Sequence, residues 1–286
     1  MKFTSTLIKG KLIKRYKRFF ADIKVNNSTV IAHCPNTGSM LGLLDKNNEA
    51  WISKADDPNR KLKFTLEIIN SNKLLIGVNT HRANRIVEHA LRNRLIQEFK
   101  SVKNIKPEFK FSKDTRFDFL CDNKILEVKN VTFTREKSLA EFPDAVTSRG
   151  SKHLVKLIDS MRKKYVPYVL FLTQIQGINN FRIAKDIDDN YYQNYLKAKK
   201  AGVKFLAYRC HLSSREIKIE KNYKPYVLFL TQIQGISNFR IAKDIDDNYY
   251  RNYKMAKKAG VKFLAYRCAL SSKEIKIEKK INIIDE

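Results

Sequence analysis

Asp118, Glu127 and Lys129 stand in the segment TRFDFLCDNKILEVKNV (residues 115–131), which reads as two strands joined at Asp122-Asn123. A two-residue turn is expected there, because Asp and Asn tolerate positive φ. The turn sets a register. Cys121 faces Lys124, Leu120 faces Ile125 and Phe119 faces Leu126. Asp118 then faces Glu127, Phe117 faces Val128 and Arg116 faces Lys129. Alternation along the strands puts Phe117, Phe119, Leu126 and Val128 on one apolar face, and Arg116, Asp118, Glu127 and Lys129 on the other. Two carboxylates directly opposite lie about 5 Å apart at Cβ, where like charges destabilise. A divalent cation between them reverses that cost. Mg²⁺ suits the pattern, since it takes one or two carboxylates together with water and substrate phosphate. Lys129 would orient or deprotonate the attacking water and stabilise phosphate charge. The bland alternative is a solvated polar face with cross-strand ion pairs, and for so short a motif taken alone it is the commoner one.

The chain that must position these residues has 286 residues, 43% of them hydrophobic, enough for two domains with cores of their own. It contains no apolar run of about 18 residues, so no membrane-spanning helix is expected. The cysteines, Cys34, Cys121, Cys210 and Cys268, form no C-x-x-C pair. A zinc ribbon or disulfide framework is not expected, and a reducing, cytoplasmic location fits. The formal charge is +28, from 57 basic and 29 acidic side chains. Such an excess favours a polyanionic partner through phosphate neutralisation and counterion release. A basic drift common to Lys-, Ile- and Asn-rich compositions competes with that reading.

The first 80 residues show five or six short strands separated by turn signals at Asn26-Asn27, Pro35 to Gly38 and Asn70 to Asn72. That spacing predicts a small barrel of the OB type. On its first strand Arg15, Lys17 and Arg18 interleave with Tyr16, Phe19 and Phe20. Basic side chains there could reach phosphates while aromatics pack below or stack on bases. His33 and Cys34 open the loop HCPNTGSM, which reads as a packed turn rather than a metal site. A helix is expected over Ala83–Phe99, and another near Asp144.

Tyr165–Glu220 recurs almost unchanged as Tyr223–Glu278. Each copy reads as strand, helix, strand, strand. The strand Tyr168–Thr173 is apolar throughout, as a strand buried on both faces requires. Asp188 begins the helix and Gly202 ends it. One copy suffices to complete an α/β sheet, and nothing in the pattern assigns a place to the other.

RYKRFFADI (Arg15–Ile23), HCPNTGSM (His33–Met40), VNTHRANRIV (Val78–Val87), TRFDF, LEVKNVT (Leu126–Thr132) and FPDAVTSRGSKHL (Phe142–Leu154) stand in this order. Together they resemble the sugar fermentation stimulation protein A family over about residues 1 to 220. The resemblance implies an OB-like β-barrel (residues 1–80) followed by an α/β domain of the PD-(D/E)XK nuclease type (81–222), with 223–286 as the second copy of the 165–220 unit. It also implies non-specific or weakly specific DNA binding and a regulatory role in sugar metabolism, with an active Mg²⁺-dependent nuclease as the alternative. Asp118 matches the first acid of the nuclease motif, and Glu127 and Lys129 match its E-x-K. Glu88 on the first helix is a further candidate metal ligand. Arg116, Arg149, Lys152 and His153 are candidate DNA contacts. Asp144 is as readily a capping residue as a catalytic one. No oligomeric state follows from the sequence.

Overall fold

The computed structural model describes residues 1–57, 59–136, 138–220, 226–231, 238–240, 253–254, 257, 262–270 and 275–284. Residues 1–221 form one compact unit and 222–286 a second.

The first unit opens with β1 (Ile8–Tyr16), β2 (Phe20–Val25), β3 (Ser28–His33), β4 (Glu49–Lys54), β5 (Phe64–Ser71) and β6 (Leu74–Gly77), paired in the order β3-β2-β1-β4-β5-β6. β3 also pairs with β5 in parallel, Ala32 with Phe64 and His33 with Thr65, so the first five strands close into a barrel. Closure buries Leu12, Ile23, Ile52, Leu66 and Ile69 and leaves no free edge between β3 and β5. Asn26 takes positive φ in the β2–β3 turn. The β5–β6 turn is centred on Asn72 and Lys73, both at positive φ, one position beyond the expected Asn70–Asn72.

The second half of this unit contains α1 (His81–Arg92), β7 (Ile105–Ser112), β8 (Thr115–Cys121), β9 (Lys124–Val131), β10 (Phe133–Glu136), β11 (Leu139–Phe142), α2 (Ser148–Met161), β12 (Val166–Thr173), β13 (Asn180–Ile183), α3 (Asp189–Ala201), β14 (Lys204–Leu212) and β15 (Ile217–Ile219). The main sheet runs β15-β14-β12-β9-β8-β7, and β10-β11-β13 form a smaller one. β9, β12 and β14 are parallel, and both faces of their sheet are covered, α1 against β9 and α2 against β12. α1 is shorter than its apolar periodicity suggests. It stops at Arg92 with Asn93 as C-cap, and Arg94 turns left-handed. α2 begins at Ser148, where the Thr147 side chain accepts the Gly150 N–H. Asp144 lies before the helix. Asp188 caps α3 by accepting the Tyr191 N–H, and Gly202 ends it at φ 109°.

The halves are stitched by main-chain bonds. Gly77 N–H donates to Gln174 O at 2.8 Å and Gln176 N–H to Leu75 O at 2.9 Å. The first residues do not join the barrel: Phe3 N–H donates to Arg215 O, and Ile217 N–H to Met1 O, both at 2.9 Å. The second unit contains β16 (Tyr226–Thr231), β17 (Asn238–Arg240), β18 (Lys262–Leu270) and β19 (Ile275–Ile284) in the order β16-β18-β19-β17. Its expected helix falls largely outside the described residues. Among the described residues no helix is long and apolar enough to cross a membrane.

Candidate functional site

The β8–β9 hairpin keeps the expected register for three rungs: Cys121 with Lys124, Leu120 with Ile125 and Phe119 with Leu126. The ladder then stops, so Asp118 and Glu127 are not a cross-strand pair, nor are Arg116 and Lys129. β9 runs on in parallel with β12 from Lys124–Val166 to Val131–Thr173. A continuing β8 ladder would take the Val128 N–H at Phe117. Instead it donates to Asp118 Oδ2 at 2.7 Å, while Asn84 Nδ2 on α1 donates to Oδ1 at 2.7 Å. The departure also splits the expected apolar face. Phe119, Leu126 and Val128 pack with α1, whereas Phe117 joins the other core, its ring edge-on to His153 at 5.8 Å.

Glu127 is 4% exposed. Its Oε1 receives Lys129 Nζ and faces His153 Nδ1, each at 2.5 Å. Its Oε2 has no hydrogen-bond partner. Burial pushes the Glu127 carboxyl up, but the Lys129 charge and the His153 hydrogen bond outweigh it and hold the acid below the usual range. Asp118 goes the other way, raised to about 6 by burial and then by the Glu127 charge, against the pull of the Val128 N–H. One acid is therefore ionised and the other reluctant, as expected of neighbouring carboxylates lacking enough positive charge between them. Tyr191 on α3 adds a second orphan. Its hydroxyl is buried without a partner, and burial and the Glu127 charge hold its proton on.

On α2, Arg149, Lys152, His153 and Lys156 form one wall of a cleft of about 640 Å³, and Lys110, Lys113 and Arg116 from the β7–β8 region form the other. Four expected DNA contacts, Arg116, Arg149, Lys152 and His153, thus meet in one place. Arg15 and Arg18 do not join them. They lie at the β1–β2 turn, where Arg15 Nη2 donates to Asn36 O and Arg18 Nη2 to Thr37 O, both at 2.7 Å. They brace the HCPNTGSM loop, and only Lys17 of the trio is left pointing from the turn, exposed at φ 45°. That loop docks on the other domain. Ser39 Oγ donates to Asp144 O at 2.8 Å, and a Cβ on Gly38 would stand 2.5 Å from Asp144 Oδ2, so a larger residue there would displace the Asp144 carboxylate. Asp144 is a docking residue. Cys34 is fully buried with Sγ 3.6 Å from Met40 Sδ, a packed turn as expected.

Glu88 shares a face of α1 with Asn84 but is paired with Arg92 at 2.7 Å. Among the described residues no three His, Cys, Asp or Glu side chains are grouped as a ready metal site. Asn84 and Tyr191 were not singled out from sequence. Asn84 is one turn before Glu88, and that spacing was its only signal. Tyr191 reads as an ordinary core aromatic.

The model of the sugar fermentation stimulation protein RE domain matches residues 81–216 and again 217–274, and that of the SfsA N-terminal OB domain matches 13–78. The chain belongs to the sugar fermentation stimulation protein family. A homologue from Pelagibacter ubique is 62% identical over 228 residues, spanning 78% of this chain and 98% of its own length. One from Maricaulis maris is 39% identical, spanning 77% and 97%. A solved structure described as Pyrococcus furiosus SfsA in complex with Ca²⁺ superposes with a TM-score of 0.71 at 21% identity, over 77% of this chain and 96% of that one. At that identity the likeness establishes the SfsA fold.

Proposed function

We propose that this SfsA-family protein binds DNA along the α2 cleft and hydrolyses phosphodiester bonds at Asp118 and Glu127 with a divalent cation. The observation that carries the reading is Glu127 Oε2, a buried carboxylate oxygen without a partner, close enough to Asp118 to raise its proton affinity. Buried polar atoms are otherwise almost always satisfied, and an unsatisfied one calls for a reason. Asp118 and Glu127 would hold the cation, with Mg²⁺ the expected ion. The Ca²⁺ complex of the Pyrococcus furiosus relative supports a hard, oxygen-seeking site of this kind. A bound cation supplies Lewis-acid polarisation of the phosphate and a more acidic water. Asn84 and the Val128 N–H fix the Asp118 carboxylate, so its oxygens need no reorganisation when substrate arrives. Lys129 holds Glu127 Oε1, and its ammonium would stabilise phosphate charge and orient the attacking water. Arg116, Arg149 and Lys152 bind the backbone on either side without reading sequence. Buried free thiols at Cys34, Cys121 and Cys210 support a reducing, cytoplasmic setting.

A second reading, a DNA-binding regulator of sugar metabolism without turnover, is favoured by one observation. Lys129 already pairs with Glu127 and His153 lies against the same oxygen, and Glu88 is paired elsewhere. Incubation with plasmid, single-stranded DNA and RNA in Mg²⁺ or Mn²⁺ separates the two. Cleavage abolished by Asp118→Ala supports hydrolysis. Salt-sensitive binding with no cleavage in either metal supports the regulator.

A further inference from the structure

A cleft of about 360 Å³ lies between the barrel and the first turn of α1, apart from the carboxylate pair. His33 at the end of β3, Lys54 at the end of β4 and Arg60 in the next loop line it from the barrel, and His81 and Arg85 from the helix. Glu67 is among its lining residues, yet both its oxygens are taken. Ser53 Oγ and Arg82 Nη2 donate to Oε1 at 2.7 Å, and Asn79 Nδ2 and Arg82 Nε to Oε2 at 2.9 and 3.1 Å. Glu67 and Arg82 neutralise each other. Among the described residues Asp56 is the only other acid at the cleft, exposed and bonded to Thr4 Oγ1. Lys54, Arg60 and Arg85 have no carboxylate partner among the described residues, and the first turn of α1 adds no acid to the positive end of its dipole.

Arg60 is already positioned. Nη1 donates to Thr65 Oγ1 at 3.0 Å and Nη2 lies 2.9 Å from His33 Nδ1. A guanidinium only donates, so His33 Nδ1 accepts and the ring is neutral. Burial, then the Arg60 and His81 charges, hold the His33 imidazolium below its usual pKa. Over His33 lies Phe19, 41% exposed, with ring centroids 6.4 Å apart and planes 28° from parallel. An exposed aromatic beside an unbalanced cation cluster provides a base platform and a phosphate seat. His81, Asn84 and Arg85 share one face of α1, and Asn84 holds Asp118. The cleft and the carboxylate pair thus meet neighbouring residues within one turn of the same helix.

We propose that this cleft is a second phosphate site, receiving one phosphate of a single nucleic-acid strand whose neighbouring base stacks on Phe19. It rests on the nucleic-acid reading above. The phosphate is a 5′-terminal or an internal one, and the test has an arm for each. The full-length protein is titrated in EDTA, where nothing is cleaved, with single-stranded oligonucleotides carrying or lacking a 5′-phosphate. Inorganic phosphate is titrated separately against the histidine ring proton resonances. Arg60→Gln/Arg85→Gln is expected to weaken strand binding about tenfold and lower the log-salt slope by about two, with Arg60→Lys in place of Arg60→Gln recovering most of it. Phe19→Leu is expected to cost about tenfold with an unchanged slope. Loss confined to the phosphorylated strand assigns the terminal phosphate, and equal loss on both assigns an internal one. Inorganic phosphate is expected to move the His33 and His81 resonances. Wild-type affinity and slope in the double variant, while Lys152→Gln in the α2 cleft loses them, overturn the proposal. Should no variant weaken binding, the nucleic-acid reading fails by itself. Unmoved His33 and His81 resonances would then overturn the phosphate site independently.

Discussion

Glu67 in the barrel and Glu127 in the sheet domain are both buried glutamates with an adjacent cation, and they are built to opposite ends. Glu67 is 0% exposed and receives four hydrogen bonds across its two oxygens. Glu127 crowds its partners onto Oε1 and leaves Oε2 bare. The first arrangement is closed: every lone pair that matters is occupied by a group the fold supplies. The second is open: its charge is met by Lys129, but one oxygen has no partner among the described residues. Burial alone therefore does not distinguish a structural carboxylate from a working one. Between these two glutamates the count of satisfied oxygens does.

The comparison breaks or sharpens at several points. The largest effect is expected from Glu67→Ala, which leaves Arg82 in a part-buried site without its counter-charge. A loss of about 3–5 kcal/mol in urea unfolding is expected, and a loss below about 1 kcal/mol would make Glu67 no more structural than a surface pair. Next comes the cation. Ca²⁺ at a hundred times its Kd should stabilise the wild type by about 2.7 kcal/mol. The gain should vanish in Glu127→Gln and Asp118→Asn; an undiminished response there would place the cation elsewhere. Smaller effects separate the orphan groups from the satisfied ones. Ser53→Ala removes a bond to Glu67 and should cost about 1 kcal/mol, whereas Tyr191→Phe removes a hydroxyl that has no partner and should be neutral or slightly stabilising in thermal unfolding. The smallest is a pH effect at His33. Its folded-state pKa is lowered by burial and by Arg60 and His81, so its stabilising contribution is present above about pH 6.5 and is lost as pH falls toward the folded value. His33→Asn should flatten stability against pH in that window.

The two copies of the repeated segment show how much of this was legible in residues alone. Tyr168–Thr173 and Tyr226–Thr231 have the same sequence, and both pair in parallel with the KFLAYRC strand of their own copy, β12 with β14 and β16 with β18. That much is local chemistry. Their other neighbours differ. β12 also lies against β9, and β13 pairs with β11, whereas β17 pairs with the end of a ten-residue β19. An apolar strand specifies that it must be covered on its faces, not which strand takes its edge.

The same division holds at the site. Asp122 at the turn, Asp188 and Gly202 at the ends of α3 and the alternation of the barrel strands were readable, because each depends on a few adjacent residues and on intrinsic φ/ψ preference. The gathering of Arg116, Arg149, Lys152 and His153 was anticipated as a list but not as a surface. Arg15 and Arg18 looked free because main-chain carbonyls from a distant loop leave no mark in the sequence. The amino-acid sequence by itself determined the barrel, the α/β order, and that Asp118, Glu127 and Lys129 lie on adjoining strands. Only the tertiary structure decided that Asp118 would leave the ladder for Val128 N–H and Asn84, and that one oxygen of Glu127 would stay bare. The first depends on α1 and β12 settling against β9, the second on His153 of α2 and Lys129 sharing Oε1, and contacts between segments far apart in the chain are set by packing rather than by the preferences of any one residue.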